Sequence, residues 1–273
     1  MTVEGTIQER FELNPQSGEF GVEIEMESDT PILEGERGYK EWHKFSDGSL
    51  RGMYNAEFVL TKPLSLAASK AALHNLQDKL TADTTIINDS VRAGVHIHVN
   101  VQTLTVPQLL TLLTAYYILE EMLVDECGDG RKGNHFCLRA QDSDYTLFIL
   151  SEAVRMNDIV SRLYSIDRMR YSAMNLAALR KFGSIEFRAI RTPTDLTTIT
   201  YWLDVFNNLK NNFMLYQDPI QMVENISLGG EINFLDNILG PELSEQFKSD
   251  PDTSEKLLRG VRLAQEIAYS QPR

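Results

Sequence analysis

The chain is poor in cysteine, in positive charge and in long apolar runs. Its 273 residues include two cysteines, Cys127 and Cys137, in neither a CxxC pair nor a zinc-finger spacing. A disulfide framework or thiolate metal knot therefore has no basis here, and a reduced, cytoplasmic protein is the simpler expectation. Lysine and arginine number 26 against 39 aspartates and glutamates, a formal net charge of −13. A generic nucleic-acid binder needs a basic stripe to neutralise phosphates, so the balance argues against that partner. It leaves a phosphorylated small ligand open, because local arginines and metal ions can reverse the field. No apolar run reaches membrane-spanning length, so no membrane partner is expected. The stretch MTVEGTIQERFELN shows no basic segment followed by an apolar one, so no export signal is expected either. Repeats and low-complexity linkers are absent as well.

What remains is an ordinary globular composition, 42% hydrophobic and 24% charged, with material for a substantial core. GEFGVEIEMES (18–28) alternates apolar and acidic residues with period two, a strand signal. Asp47-Gly48-Ser49 reads as a turn. NAEFVLTK (55–62) reads as a strand ending at Pro63, 64–80 as a helix, and AGVHIHVNV (93–101) as another strand. Pro107 suits the first turn of a mostly buried helix, LLTLLTAYYILEEMLVDE. Residues 128–146, rich in Gly, Asp, Arg and Asn, read as a functional loop or lid, followed by a helix over 147–164. MNLAALRKFGSIEFRAI reads as two β segments meeting near Gly183, and 195–216 as an amphipathic helix. The last 55 or so residues read as helical and polar. The expected fold class is α+β, one domain with a helical tail.

Alternation along a strand decides which side chains share a face. Val95, Ile97, Val99 and Val101 would line one face of their strand, and His96, His98 and Asn100 the other. Glu23, Glu25 and Glu27 share a face opposite Val22, Ile24 and Met26. Ser184, Glu186 and Arg188 share one opposite Ile185, Phe187 and Ala189. Glu57 stands between Ala56 and Phe58. Two carboxylates about 6–7 Å apart repel by roughly 2–3 kcal/mol at an effective dielectric near 20. Several such pairs on one sheet favour protonation, splaying or a bound cation. Carboxylate oxygen with imidazole nitrogen suits Mg²⁺ or Mn²⁺, and an adjacent arginine suits phosphate oxygens. The competing reading is a solvated acidic face with cationic partners elsewhere.

The segments GVEIEME, SDGSLR…AEFV…PL, GVHIHVNV and GSIEFRAIR, in this order and spacing, resemble the amidoligase family over roughly residues 18–205. That family belongs to the glutamine synthetase-like carboxylate–amine ligases, which include glutamate–cysteine ligases. The resemblance implies a curved, mostly antiparallel sheet of the glutamine synthetase catalytic type, with helices on its convex face. Its concave face would bind ATP and two or three Mg²⁺ or Mn²⁺ ions. It implies a ligase domain over 1–216 and a helical extension of the same domain over 217–273.

Carried over by position, Glu23, His96 and Glu186 would hold the metal at the nucleotide phosphates, and Glu25 and Glu57 the metal nearer the acceptor substrate. Arg188 would stabilise the transferring phosphoryl group. His98 and Arg191 would lie with the nucleotide. Asp47 would position substrate or a metal-bound water, unless it only caps its turn. Arg131, Arg170 and Asn175 would hold substrate carboxylate or phosphate, although Arg131 could equally be a surface charge.

The implied reaction is ATP-dependent formation of an amide or isopeptide bond between a small-molecule, peptide or protein carboxylate and an amine, through an acyl phosphate. Neither cysteine is needed for it. The lack of a GxxxxGK[ST] loop agrees, because sheet and metals would replace the helix-terminus cradle. Two rival readings are a phosphotransferase of the guanidino-kinase type and a non-catalytic binding or assembly protein that keeps the fold. Specificity would lie in loops 28–45 and 128–146, with His135 a further candidate for ligand contact. His43 and His74 read as surface or helix residues, Trp42 and Trp202 as packing residues, and 249–255 as a solvated acidic stretch. Oligomeric state stays open.

Overall fold

The computed structural model describes residues 5–35, 38–128, 130–156, 158, 159, 162 and 171–270. They form an α+β protein of two compact units. One comprises Gln16–Asn100 with Glu186–Asp204, and the other the remaining described residues.

The first unit is built on a sheet. Its strands are β1 (Phe20–Ser28), β2 (Gly38–Tyr39), β3 (Trp42–Phe45), β4 (Tyr54–Leu60), β5 (Gly94–Asn100) and β6 (Ser184–Arg191), in the spatial order β2-β3-β4-β1-β5-β6. β1 pairs antiparallel with both β4 and β5. The Thr192 amide donates to Ala93 O at 3.3 Å, which sets the end of β6 beside the start of β5. Alternation does what period two requires. Phe20, Val22, Ile24 and Met26 are at most 1% exposed, while Gly21, Glu23 and Glu25 between them are half-buried. Ala56, Phe58, Val95, Ile97, Phe187 and Ala189 extend the apolar face across the neighbouring strands.

Helix α1 (Leu66–Ala82), capped by the Ser65 hydroxyl on the Ala68 amide, covers that face with Ala72, Leu73, Leu76 and Leu80. Each large side chain buried this way contributes about 1.5–3 kcal/mol. Trp42 is buried and donates its indole N–H to Ala72 O at 3.1 Å, and Phe187 stacks tilted on Trp202 at 5.7 Å. Both tryptophans are packing residues, as read from the sequence.

The second unit is mostly helical. α2 (Val106–Glu126) starts at a Thr105–Gln108 capping box with Pro107 in its first turn, and is buried nearly all round. α3 is Asp144–Arg155, α4 Ala178–Phe182 and α5 Ile199–Asn212, the last crossing the boundary between the units at Asp204 and Val205. α6 (Pro219–Asn225), α7 (Glu231–Leu239), α8 (Pro241–Lys248) and α9 (Thr253–Ala268) follow.

α9 packs mainly on α2 and buries Leu257, Gly260, Val261, Ala264 and Ile267. A Cβ on Gly260 would lie 2.3 Å from Ile118 O, so the two backbones touch. Arg259 grips Glu121 through two bonds of 2.9 Å, and Lys256 pairs with Asp125 at 2.6 Å.

Several expectations are corrected. The tail is not simply polar, because α9 buries one face against α2. The helix read over 147–164 starts at Asp144 and ends at Arg155, and the rest of that span lies largely outside the described residues. Residues 174–191 are not two strands meeting at Gly183. A two-residue strand, Met174–Asn175, is followed by α4, because Ala178-Leu179-Arg180-Lys181 are strong helix formers. Gly183 then ends that helix in a left-handed conformation, φ 66°, which glycine alone adopts freely. The loop 28–45 contains β2 and β3. The segment 128–146 buries Arg131, Cys137 and Ala140 and leaves Lys132, His135 and Phe136 exposed. Cys127 and Cys137 are both buried and form no disulfide. No helix among the described residues is long and apolar enough to cross a membrane.

Candidate metal centre

Register brings the charged side chains together. Glu23 lies directly opposite His96, Glu25 opposite Glu57, and His98 opposite Gly21. Directly paired residues have Cβ atoms about 4.5–5.5 Å apart, so carboxylates and imidazoles on this face must meet.

His96 Nδ1 is 3.1 Å from Glu23 Oε2 and 3.5 Å from Glu186 Oε1, and its Nε2 is 3.8 Å from Glu25 Oε1. His98 Nε2 is 3.2 Å from Glu23 Oε1 and 3.9 Å from Glu186 Oε2. His96 is 6% exposed and Glu186 4%, so both have left bulk water. Arg188, two residues along β6, donates Nη1 to Glu186 Oε1 at 2.6 Å. Its Nε is buried with no hydrogen-bond partner among the described residues, a donor still able to bond an oxygen.

Burial alone would raise Glu23, but the hydrogen bonds from His96 and His98 outweigh it and hold the carboxyl well below the usual range. His98 moves the opposite way to a simply buried imidazole. Desolvation pushes it down, and the hydrogen bond it donates to Glu23, with the charges of Glu186 and Glu23, lifts it above its ordinary value. Glu25 is raised by burial, with Asp47 adding to the effect against His96 and the Gly94 amide, which donates to Oε2 at 3.0 Å. Glu57 is pushed up to about 7, by burial first and then by Glu23, Glu25 and Asp47. These carboxylates crowd one another beyond what two imidazoles and one guanidinium relieve.

A cation would relieve the remainder. Glu23, His98 and Glu186 each offer one ligand atom, and the three atoms lie within 4.8 Å of one another. Two donors across a hard divalent cation span about 4–5 Å at bond lengths of ~2.1–2.5 Å, so the cluster fits such an ion. The geometry thus draws His98, read from the sequence only as a nucleotide contact, into the ligand cluster. His96 bridges toward Glu25.

The other expected residues fall out differently. Asp47 accepts from the Ser49 amide at 2.7 Å and the Ser49 hydroxyl at 2.9 Å, so it does cap its turn, and its charge also acts on Glu25 and Glu57. Arg191 is held by Asp89 at 2.6 Å and Ser90 O at 3.0 Å. Arg131 and Asn175 belong to the other unit, where both are buried, so Arg131 is not a surface charge. Arg170 lies outside the described residues. His43, His74 and His135 are exposed.

Two features escaped sequence reasoning. Phe45 pairs with Glu57 across β3 and β4 and is 51% exposed, an aromatic on the carboxylate face. Glu27, although in step with Glu23 and Glu25, is bonded to backbone amides of the 46–53 segment. The four residues of β3 are too few to show a period, and nothing local marks Glu27 as different.

Fold and face together define an α+β protein with a candidate cation site on an antiparallel sheet, flanked by a guanidinium. The chain belongs to the family described as "putative amidoligase enzyme", whose model matches residues 19–209 and so takes in every strand of that face. No curated protein matches the chain.

Proposed function

We propose that the chain is an ATP-dependent carboxylate–amine ligase working on a glutamine synthetase-type sheet. The supporting observation is the convergence of Glu23, His98 and Glu186 beside Arg188, within the span matched by the amidoligase family. In this reading a substrate carboxylate oxygen attacks the γ-phosphorus and ADP leaves. An amine nitrogen then attacks the acyl carbon, and phosphate departs as the amide forms.

Bound divalent ions would neutralise phosphate oxygens as charge develops. Glu23, His96, His98 and Glu186 would hold the ion at the phosphates, and Glu25 and Glu57 one nearer the acceptor. Arg188 would act on the transferring group: one nitrogen is anchored on Glu186, and the buried Nε, without an acceptor among the described residues, could take a phosphoryl oxygen. Asp47 would orient the acceptor end of the face, while Arg131, Arg170 and Asn175 remain candidates for substrate carboxylate or phosphate. The family membership and the carboxylate–imidazole face favour this chemistry over guanidino phosphotransfer or a non-catalytic role.

The test is a thermal-unfolding scan with ATP and Mg²⁺ or Mn²⁺, followed by ADP release across a panel of acid–amine pairs. Ligand at about a hundred times its Kd adds roughly 2.7 kcal/mol, several degrees at this size. Glu186→Gln is expected to keep the fold and lose both the metal-dependent shift and turnover. Undiminished turnover in that variant would defeat the site assignment.

A further inference from the structure

β1 ends in a carboxylate with its own set of partners. Glu27 is 8% exposed, and its Oε1 accepts the backbone N–H of Arg51 and, at 3.0 Å, that of Gly52. The Ser90 hydroxyl bonds the same carboxylate. The main chain is tied at the same place: the Asn88 amide donates to Glu27 O at 2.8 Å, and Ser28 bridges Ile87. Gly52 is matched to this arrangement, since a Cβ there would lie 2.7 Å from Glu27 Cβ and 3.1 Å from Cγ.

Two segments therefore meet at one side chain: one carries a residue of the expected site, Asp47, and the other holds one, Arg191. Residues 46–52 carry Asp47, held by Ser49 and electrostatically coupled to Glu25 and Glu57. Residues 88–93 carry Asp89 and Ser90, which grip Arg191. Ser90 also organises its own turn, accepting the Arg92 amide at 3.1 Å.

We propose that Glu27 is a positioning residue rather than a metal ligand: it clamps segments 46–52 and 88–93 to the end of β1, and so sets Asp47 and Arg191 against the carboxylate face. The consequence for nucleotide rests on the ligase reading, whereas the clamp rests on the hydrogen bonds alone.

Substitutions separate the two roles. Glu27→Ala removes the acceptor, and Gly52→Ala leaves the carboxylate but forces it aside. Glu27→Gln keeps a carbonyl oxygen that can accept both amides while removing the charge a cation would need. Affinity for Mg²⁺ with the imido analogue of ATP, titrated calorimetrically on the full chain, is expected to fall roughly ten-fold in Glu27→Ala and Gly52→Ala. Glu27→Gln should stay within about three-fold of wild type. In an Arg191→Ala background, Glu27→Ala should cost less than in wild type, because part of its effect passes through that arginine and the rest through Asp47. Glu27→Gln as damaging as Glu27→Ala would make Glu27 a ligand and overturn the proposal, as would unchanged affinity in Glu27→Ala.

Hydrogen exchange at the Arg51 and Gly52 amides, without nucleotide, reads the clamp directly and should accelerate in Glu27→Ala. If wild type binds no nucleotide, the ligase reading fails while the exchange result still decides the clamp. Unaltered exchange would defeat the clamp whatever the nucleotide does.

Discussion

Glu120 offers a prediction remote from the proposed chemistry. It sits in the buried interior of α2, 2% exposed, and accepts the Ala140 amide at 2.6 Å and the Tyr116 hydroxyl at 3.0 Å. Burial pushes its carboxyl from the usual 4.5 up to about 7, with Asp142 adding to the rise and the two hydrogen bonds and Arg139 opposing it. The unfolded chain releases this proton near pH 4.5, and the folded chain keeps it to about 7. Between those values the folded state binds more protons, so its stability falls as pH rises and levels off above about 7. The difference in pKa corresponds to at most about 3 kcal/mol.

Glu120→Gln removes the titration and keeps a carbonyl oxygen for the Ala140 amide. Urea unfolding of wild type and variant at pH 5, 6, 7 and 8 measures the difference directly, and contributions from other carboxylates such as Glu57 cancel in it. The variant should gain about 1–3 kcal/mol on wild type between pH 5 and 8. Parallel stability curves would show that Glu120 is ionised throughout, and would refute the burial argument.

Gly260→Ala should destabilise the chain by about 3 kcal/mol and lower Tm by roughly 6–12 °C, since its Cβ would press on Ile118 O with no flexible atom to yield; calorimetry checks it. Glu57→Gln removes one of the crowded charges, so at pH 8 the metal-free protein should gain no more than about 1 kcal/mol, solvent screening this half-buried group, while the Mn²⁺-dependent rise in Tm shrinks, both read in one thermal scan with and without EDTA. Arg188→Ala should lower kcat for ADP release more than it weakens nucleotide binding, because the guanidinium would act on developing charge; an effect confined to KM would contradict that role.

The sheet face was legible in the sequence because period two is a local property. Glu23, Glu25, Glu57, His96, His98 and Glu186 each sit in a strand whose opposite residues are apolar, and the alternation alone turns them away from the core. Pairing was not legible. That His96 stands opposite Glu23 follows from register, as does the reach of His98 to Glu23 and Glu186, and no single strand encodes it. Glu27 matches Glu23 and Glu25 in parity, but amides contributed by residues 51 and 52 set its surroundings. α9 was misjudged for a related reason. Its composition is polar, yet Leu257, Val261 and Ala264 fall on one stripe that acquires meaning only against α2.

The pairing of β1 with β4 and β5 also dictates how such a protein can diversify. Inserting or deleting one residue within Phe20–Ser28 would rotate every later side chain of the strand to the other side, sending glutamates into the apolar layer and apolar residues onto the carboxylate face. A bulge can absorb one extra residue, but it breaks the local pairing that sets the glutamates against the imidazoles. Descendants of the sequence can lengthen the stretch between β1 and β3, or that between α2 and α3, by single residues and alter what they select. The strands can change only by substitution. Lineages carrying this sheet should therefore keep strand lengths fixed and differ in length at the loops, a pattern countable by aligning descendants.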